Sequence, residues 1–369
     1  MRVLRLYLLV LMLPLLVLLT LKTFRDLRIL NIAAAAVALG NVIALGLTIR
    51  VPKGGKPAPR RWFSVSPSVV AMASMALLAG WLWFRMPPGE GSGPAGPAVS
   101  VEPFSKAWQE GPVVLLTLGD SVSVGYGARD GHGYVDLLTK NVDEVHPDMK
   151  GRELKAVFPA LTVVKKAVNY TISTEHEGVL KLLPAFPTDT FGVVCMTTGG
   201  NDLIHNYGRG KPHEGALYGA THEQAKPWIA NYAARLDRMM LMIKEKFPGG
   251  CAVFLANIYD PTDDIGDIEN AGPMGWLPPW PEARPIHGDF NKTIAACAEK
   301  HEHVHLVDMY SVMLGHGIHC TDPFNKHFNT ADTGYWYFIN LEDPNERGYD
   351  AIRRVFLNKM VEVFVAREP

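Results

Sequence analysis

Two short clusters hold the residue types that acyl transfer needs. The apolar run Val113 to Leu118 ends in Gly119-Asp120-Ser121, with small residues and glycines through Gly127. Such a run suits a buried strand that delivers a serine hydroxyl to the rim of a sheet. A second apolar run, Phe191 to Met196, ends in Thr197-Thr198-Gly199-Gly200-Asn201-Asp202. Two strands that each stop at a small polar cluster share one site at their carboxyl ends, where open α/β sheets hold ligands. A neutral serine needs a base to take its proton, and the developing oxyanion needs preorganised donors. Ser121 is the candidate nucleophile; Asn201 and the Ser121 backbone N–H are the candidate donors, with Gly199 opening the turn. Asp120 fits a turn better than it fits chemistry. Gly-Asp-Ser alone reads better as an ordinary strand-terminating turn, because all three residues favour turns. The second cluster is what raises it above that.

Further apolar runs fall at 161–168, 252–258 and 303–307. Helix-like stretches lie between them at Tyr134–Val142, Gly178–Leu183, Ala225–Phe247 and Phe290–Glu299, and a last one spans Asn345 to Val365. Strands alternating with helices predict an α/β fold, a three-layer αβα sandwich around a mainly parallel, about five-stranded sheet of the flavodoxin-like kind. The segment Tyr259 to Asp289 resists assignment. It carries Asp260, Asp263, Asp264, Asp267 and Glu269, then Trp276 and Trp280. The acids lack the glycine-centred register of a calcium loop and read as a solvated loop face. The tryptophans read equally as groove lining or as pins for the loop.

These blocks resemble the SGNH (GDSL) hydrolase superfamily of esterases and lipases. Gly119-Asp120-Ser121 is similar to its nucleophile block, and Gly199-Gly200-Asn201-Asp202 to the block whose asparagine helps form the oxyanion hole. Val304 to Asp308 resembles the family's fourth block, and Asp343 to Tyr349 the run that opens its final helix. The resemblance implies a serine esterase that needs no cofactor or metal. Two positions depart from the pattern. After Asn169, Thr174 stands where the family has a glycine. In the Asp-x-x-His block, Asn340 replaces the aspartate and Asp343 the histidine. An ordinary carboxylate is a weak base for a serine hydroxyl. Three outcomes stay open: a histidine from elsewhere, His319 or His316 first and His327 or His205 behind them; Asp343 itself, its pKa raised by burial; or a domain that binds an acylated ligand without turnover.

Gly119 to Gly127 is not a phosphate loop, since no Gly-Lys-Ser/Thr follows. It is not the Gly-x-Ser-x-Gly elbow either, since Ser123 stands where the second glycine belongs. His301, His303 and His305 alternate as strand residues would, but they lead into a buried edge and make a weak metal site.

The chain has 369 residues, 48% of them hydrophobic, and a formal net charge of −1, which gives nucleic acid no reason to bind. The apolar residues are concentrated at the start. Runs at about 4–21, 29–49 and 63–84 each approach the ~20 residues that cross a bilayer as a helix. The Lys and Arg distribution puts the amino terminus in the cytoplasm and everything after Arg85 outside. Residues 1–85 thus read as a membrane region of three transmembrane helices, 86–99 as a Gly/Pro-rich tether, and 100–369 as the hydrolase-like domain on the exterior or periplasmic side. Cys195, Cys251, Cys297 and Cys320 all fall in that domain. Buried free thiols are expected at Cys195 and Cys251, and Cys297 with Cys320 is the pairing to look for if a bridge exists. The whole reads as a membrane-embedded serine hydrolase cleaving an acetyl or acyl ester of a small molecule, glycan or lipid.

Overall fold

Five strands form one all-parallel sheet: β1 (Val113–Leu118), β2 (Leu161–Lys165), β3 (Phe191–Met196), β4 (Cys251–Ala256) and β5 (Val304–Val307), in the order β2-β1-β3-β4-β5. The computed structural model describes residue 91, residues 93–270 and residues 277–365. The helices of the loops and layers are α1 (Ser121–Val124), α2 (Tyr134–Thr139), α3 (Leu154–Val157), α4 (Ser173–Leu182), α5 (Gly200–Ile204), α6 (His222–Lys246), α7 (Ala283–Lys300), α8 (Met309–Met313) and α9 (Glu346–Phe364). This is the three-layer α/β architecture expected from the sequence.

The sheet explains its own composition. Every residue of β1 is buried because the strand is central and covered on both faces. The edge strand β2 has no fully buried residue, exposes Thr162 and Lys165, and stops at Lys165, short of the expected 168. One face packs under α2 and α9, with Leu115, Val193, Phe254, Tyr349 and Phe356 in its core. The other packs under α4, α6 and α7, with Leu116, Val194, Leu236, Met240 and Phe290. Burying one such side chain contributes about 1.5–3 kcal/mol.

One buried ionic cluster fastens the final helix. Asp350 accepts from Arg353 Nε at 2.5 Å, Arg354 Nε at 3.0 Å and the Ala95 backbone N–H at 2.9 Å. Although burial opposes ionisation, His146, Arg353 and Arg354 hold this carboxyl well below the usual range. The cluster also corrects the tether expectation for 86–99. Ala95 and Val99 are buried in the core, and Ala98 O accepts from Asn358 Nδ2 at 3.1 Å, so the later part of that segment is strapped to α9. The three apolar runs lie outside the described residues. Among the described residues, no helix is long and apolar enough to cross a membrane.

Candidate active site

The nucleophile block forms a tight strand-to-helix turn. Gly119 has φ +132°, and a Cβ there would sit 2.3 Å from Thr197 O, so only glycine lets the ends of β1 and β3 come this close. Asp120 then caps α1, accepting from Val122 N at 3.2 Å and Thr197 Oγ1 at 2.9 Å. Burial pushes its carboxyl up to about 6, and the Thr197 and Val122 donors pull against that rise. Ser123 Oγ bridges Tyr134 OH and Thr197 Oγ1 at 2.8 and 2.9 Å. Ser121, the first helical residue, stays half-buried and lines a cleft at the carboxyl ends of the strands. At that position the helix leaves the backbone N–H without an intrahelical acceptor.

The second block meets the first in this cleft. Gly199 has φ +95° and turns β3 into α5, with Tyr232 OH only 2.6 Å from where a Cβ would stand. Gly200 and Asn201, rather than Gly199, line the cleft, so the contribution of Gly199 is conformational. Asn201 Nδ2 donates to Thr171 O at 2.9 Å, which spends one of its two N–H groups and leaves the other for a ligand. Thr171 is itself held: its Oγ1 lies 2.9 Å from His176 Nε2, while His176 Nδ1 lies 2.9 Å from Thr198 Oγ1. Burial lowers the His176 pKa to about 4, so the imidazole is neutral at physiological pH. Thr174, at the glycine position of the family pattern, is exposed on α4 and is not among the cleft residues, while Asn169 Oδ1 is buried without a partner.

The last block brings a carboxyl to the serine. Asn340 Nδ2 donates to Asp343 Oδ2 at 2.6 Å, and Asp343 N donates back to Asn340 Oδ1 at 3.3 Å. Asn345 caps α9 through Arg347 N and Gly348 N, which fixes Asp343 just ahead of the helix. Asp343 is only 2% exposed. Burial pushes its carboxyl up to about 6, and the adjacent Ser121 and Asn340 side chains pull it partway back. Asp343 Oδ1 is buried without a hydrogen-bond partner, and Asp343 lies next to the cleft residues Asn340, Leu341 and Glu342 rather than among them. Ser121, Asp343 and Asn340 thus stand in the order in which the family pattern has serine, histidine and aspartate. Glu342 lines the cleft beside them, its carboxyl raised to about 7 by burial despite a hydrogen bond from Tyr207.

The histidines fall elsewhere. His316 is stacked on Trp336 at 3.3 Å, and its Nδ1 meets Gly334 O at 3.0 Å. His319 pairs with Asp267 at 2.9 Å, and its backbone N–H donates to Asp263. His327 lies 3.7 Å from Asp264, and the His205 ring is tilted 43° to that of Tyr207 at 6.1 Å. None of the four lines the cleft with Ser121. The expectation that the 313–320 segment reaches the serine is therefore corrected: its glycines bend it around Asp263, whose carboxylate takes the N–H groups of Gly315, Gly317 and His319, each at 2.9 Å. His287 is the histidine that lines the cleft. Its Nε2 lies 2.9 Å from Ile258 O, so this nitrogen carries the proton and Nδ1 is left as the acceptor. No sequence motif marks it.

Other expectations change as well. The acidic run is not a solvated face: Asp263 is fully buried, Asp260 caps its own turn through Thr262, and Asp264 pairs with Arg284 and Lys326. Trp280 both lines the cleft and pins the loop, donating to Ala220 O at 2.8 Å; Trp276 lies outside the described residues. Cys195, Cys251 and Cys297 are free thiols, so Cys297 is not bridged to Cys320. His301 and His303 sit near each other while His305 packs on Phe254, so the three histidines share no site. His301 instead joins Asp237 and Cys297, with ligand atoms within 4.8 Å of one another, but Asp237 already holds Lys300 and His301.

A sequence profile of the GDSL-like Lipase/Acylhydrolase family matches residues 117–351, and the chain belongs to that family. No curated protein matches the sequence. Among similar solved structures is a putative GDSL-like lipase from Parabacteroides merdae, 15% identical over 68% of this chain and 96% of that one, TM-score 0.43. Another is Axe2, an acetylxylan esterase from Geobacillus stearothermophilus, 17% identical over 68% of this chain and 94% of that one, TM-score 0.40. A third is LAE5, an alpha/beta hydrolase enzyme from the metagenome of Lake Arreo, Spain, 16% identical over 68% and 96%, TM-score 0.40.

Proposed function

We propose that the chain is a serine ester hydrolase in which Asp343 takes the part of the missing histidine. The observation that carries this reading is Ser121, half-buried and lining the cleft with Asn201, beside the buried Asp343 carboxyl, which burial pushes up to about 6 and the Ser121 side chain pulls partway back. Ser121 Oγ attacks the ester carbonyl carbon as its proton passes to Asp343. The oxyanion is met by the free Asn201 N–H and the Ser121 backbone N–H. The carbon–oxygen bond to the alcohol breaks, and protonated Asp343 returns the proton to the departing alkoxide. Water then attacks the Ser121 ester and gives its proton to Asp343. The carboxylic acid leaves, and that proton returns to Ser121. Ester and water are consumed; acid and alcohol are produced.

Raising a carboxyl from 3.8 to about 6 narrows its mismatch with the serine hydroxyl by about 3 kcal/mol. The amino-terminal apolar runs support tethering to a membrane with the hydrolase domain outside, a reading tested by protease access to intact cells. The catalytic reading is tested by hydrolysis of simple esters: Ser121→Ala should abolish it with the fold retained. Turnover that survives in Ser121→Ala removes the mechanism, whereas a folded native chain that cleaves no ester favours a module that only binds acylated ligands.

A further inference from the structure

We propose that the cleft beside Ser121 takes a medium-length straight acyl chain, of about six carbons by comparison with known cavities, rather than an acetyl group. The proposal rests on the reading of Ser121 as nucleophile and names the substrate class of that same site.

The cleft has a volume of about 150 Å³, and its surface is mostly apolar. An apolar cavity of that size holds a six-carbon ligand such as benzene. An acetyl methyl would leave most of it to water, against walls that water solvates poorly. The wall is also built to stay open. Leu203, Leu277 and Trp280 are each about 95% buried, and Trp280 is fixed by its indole bond to Ala220 O and by packing on Tyr218 at 5.0 Å. The oxyanion donor and part of the wall share one helix: Asn201, Leu203 and Ile204 all lie in α5. A carbonyl held at Asn201 therefore has apolar side chains within the next turn. Arg284, also at the cleft, has its Nε and one Nη engaged by Asp264 Oδ1, which leaves it poorly placed to receive an acidic headgroup. The acyl half of an ester stays on the serine until water releases it, whereas the alcohol departs in the first step. A fixed apolar wall suits the half that stays.

The test uses the full-length chain and p-nitrophenyl esters from acetate to decanoate. The ratio kcat/KM should rise about fourfold per methylene, the equivalent of about 0.8 kcal/mol, so that hexanoate exceeds acetate by about two orders of magnitude before the series levels off. Methyl hexanoate should also exceed hexyl acetate. Ala283→Phe, which narrows the wall, should bring the hexanoate-to-acetate ratio close to one. A series that is flat or best at acetate overturns the proposal, as does a preference for hexyl acetate, which would put the chain on the alcohol side. If no ester is cleaved, the nucleophile reading fails by itself. The affinities of Ser121→Ala for methyl acetate and methyl hexanoate then judge the pocket: tighter hexanoate supports it, and equal affinities overturn it.

Discussion

Replacing Asp343 by asparagine keeps the shape of the side chain and its bond to Asn340 while removing its capacity to accept a proton. General-base catalysis contributes about 10²–10⁴-fold, so kcat/KM for a good ester should fall by at least two orders of magnitude. The pH profile carries more information than the loss itself. In the native chain the rate should fall tenfold per pH unit below about 6, where Asp343 becomes protonated. That limb should vanish from whatever activity the variant retains. Stability should change in the opposite sense. A carboxyl whose folded pKa lies above its unfolded value adds stability that is complete below about 3.8 and is lost as pH rises through about 6. The native chain thus loses up to about 3 kcal/mol from this group between pH 4 and 7, a loss the asparagine variant escapes. Equilibrium denaturation at both pH values should show the variant gaining on the native chain by that amount. A variant with native kcat/KM and an unchanged acidic limb, or a stability difference that does not vary with pH, would refute the assignment.

Asn201→Ala should lower kcat about 10²–10³-fold with little change in KM, as loss of an oxyanion donor does; an effect confined to KM would make Asn201 a binding residue only. His319→Gln, which disturbs the pair with Asp267 away from the cleft, should leave kcat/KM within about twofold while lowering the melting temperature, and a collapse of kcat with intact fold would restore it as the base. Asp350→Ala strands the buried Arg353 and should destabilise the fold by about 3–5 kcal/mol in chemical denaturation; a change below 1 kcal/mol would mean that the cluster is not an anchor.

The five strands were legible because each is a short apolar run bounded by turn residues. Their ends were less so at β2, where the edge lets Lys165 and Lys166 face solvent. Helix starts were read late: α7 begins at Ala283 rather than Phe290, since its first turns carry Pro285 and polar residues that mask the apolar period. The nucleophile and oxyanion blocks were visible as local signals, and so was the substitution at Asp343. What no local signal carried was contact between distant segments. Asp263 is buried because the N–H groups of 315–319 need an acceptor, a pairing with no trace in spacing. The same long-range packing takes His316 to Trp336 and brings His287 to the cleft from the amino-terminal part of α7. The raised pKa of Asp343 likewise depends on burial created by residues far along the chain.

The most direct measurement is the rate and position of covalent labelling by a fluorophosphonate, followed by intact mass and peptide mapping, on the native chain and on Asp343→Asn. One adduct is expected, on Ser121, formed more slowly as pH drops below about 6 and at least a hundredfold more slowly in the variant. An adduct on another residue, or equal rates in the two chains across that pH range, would contradict it.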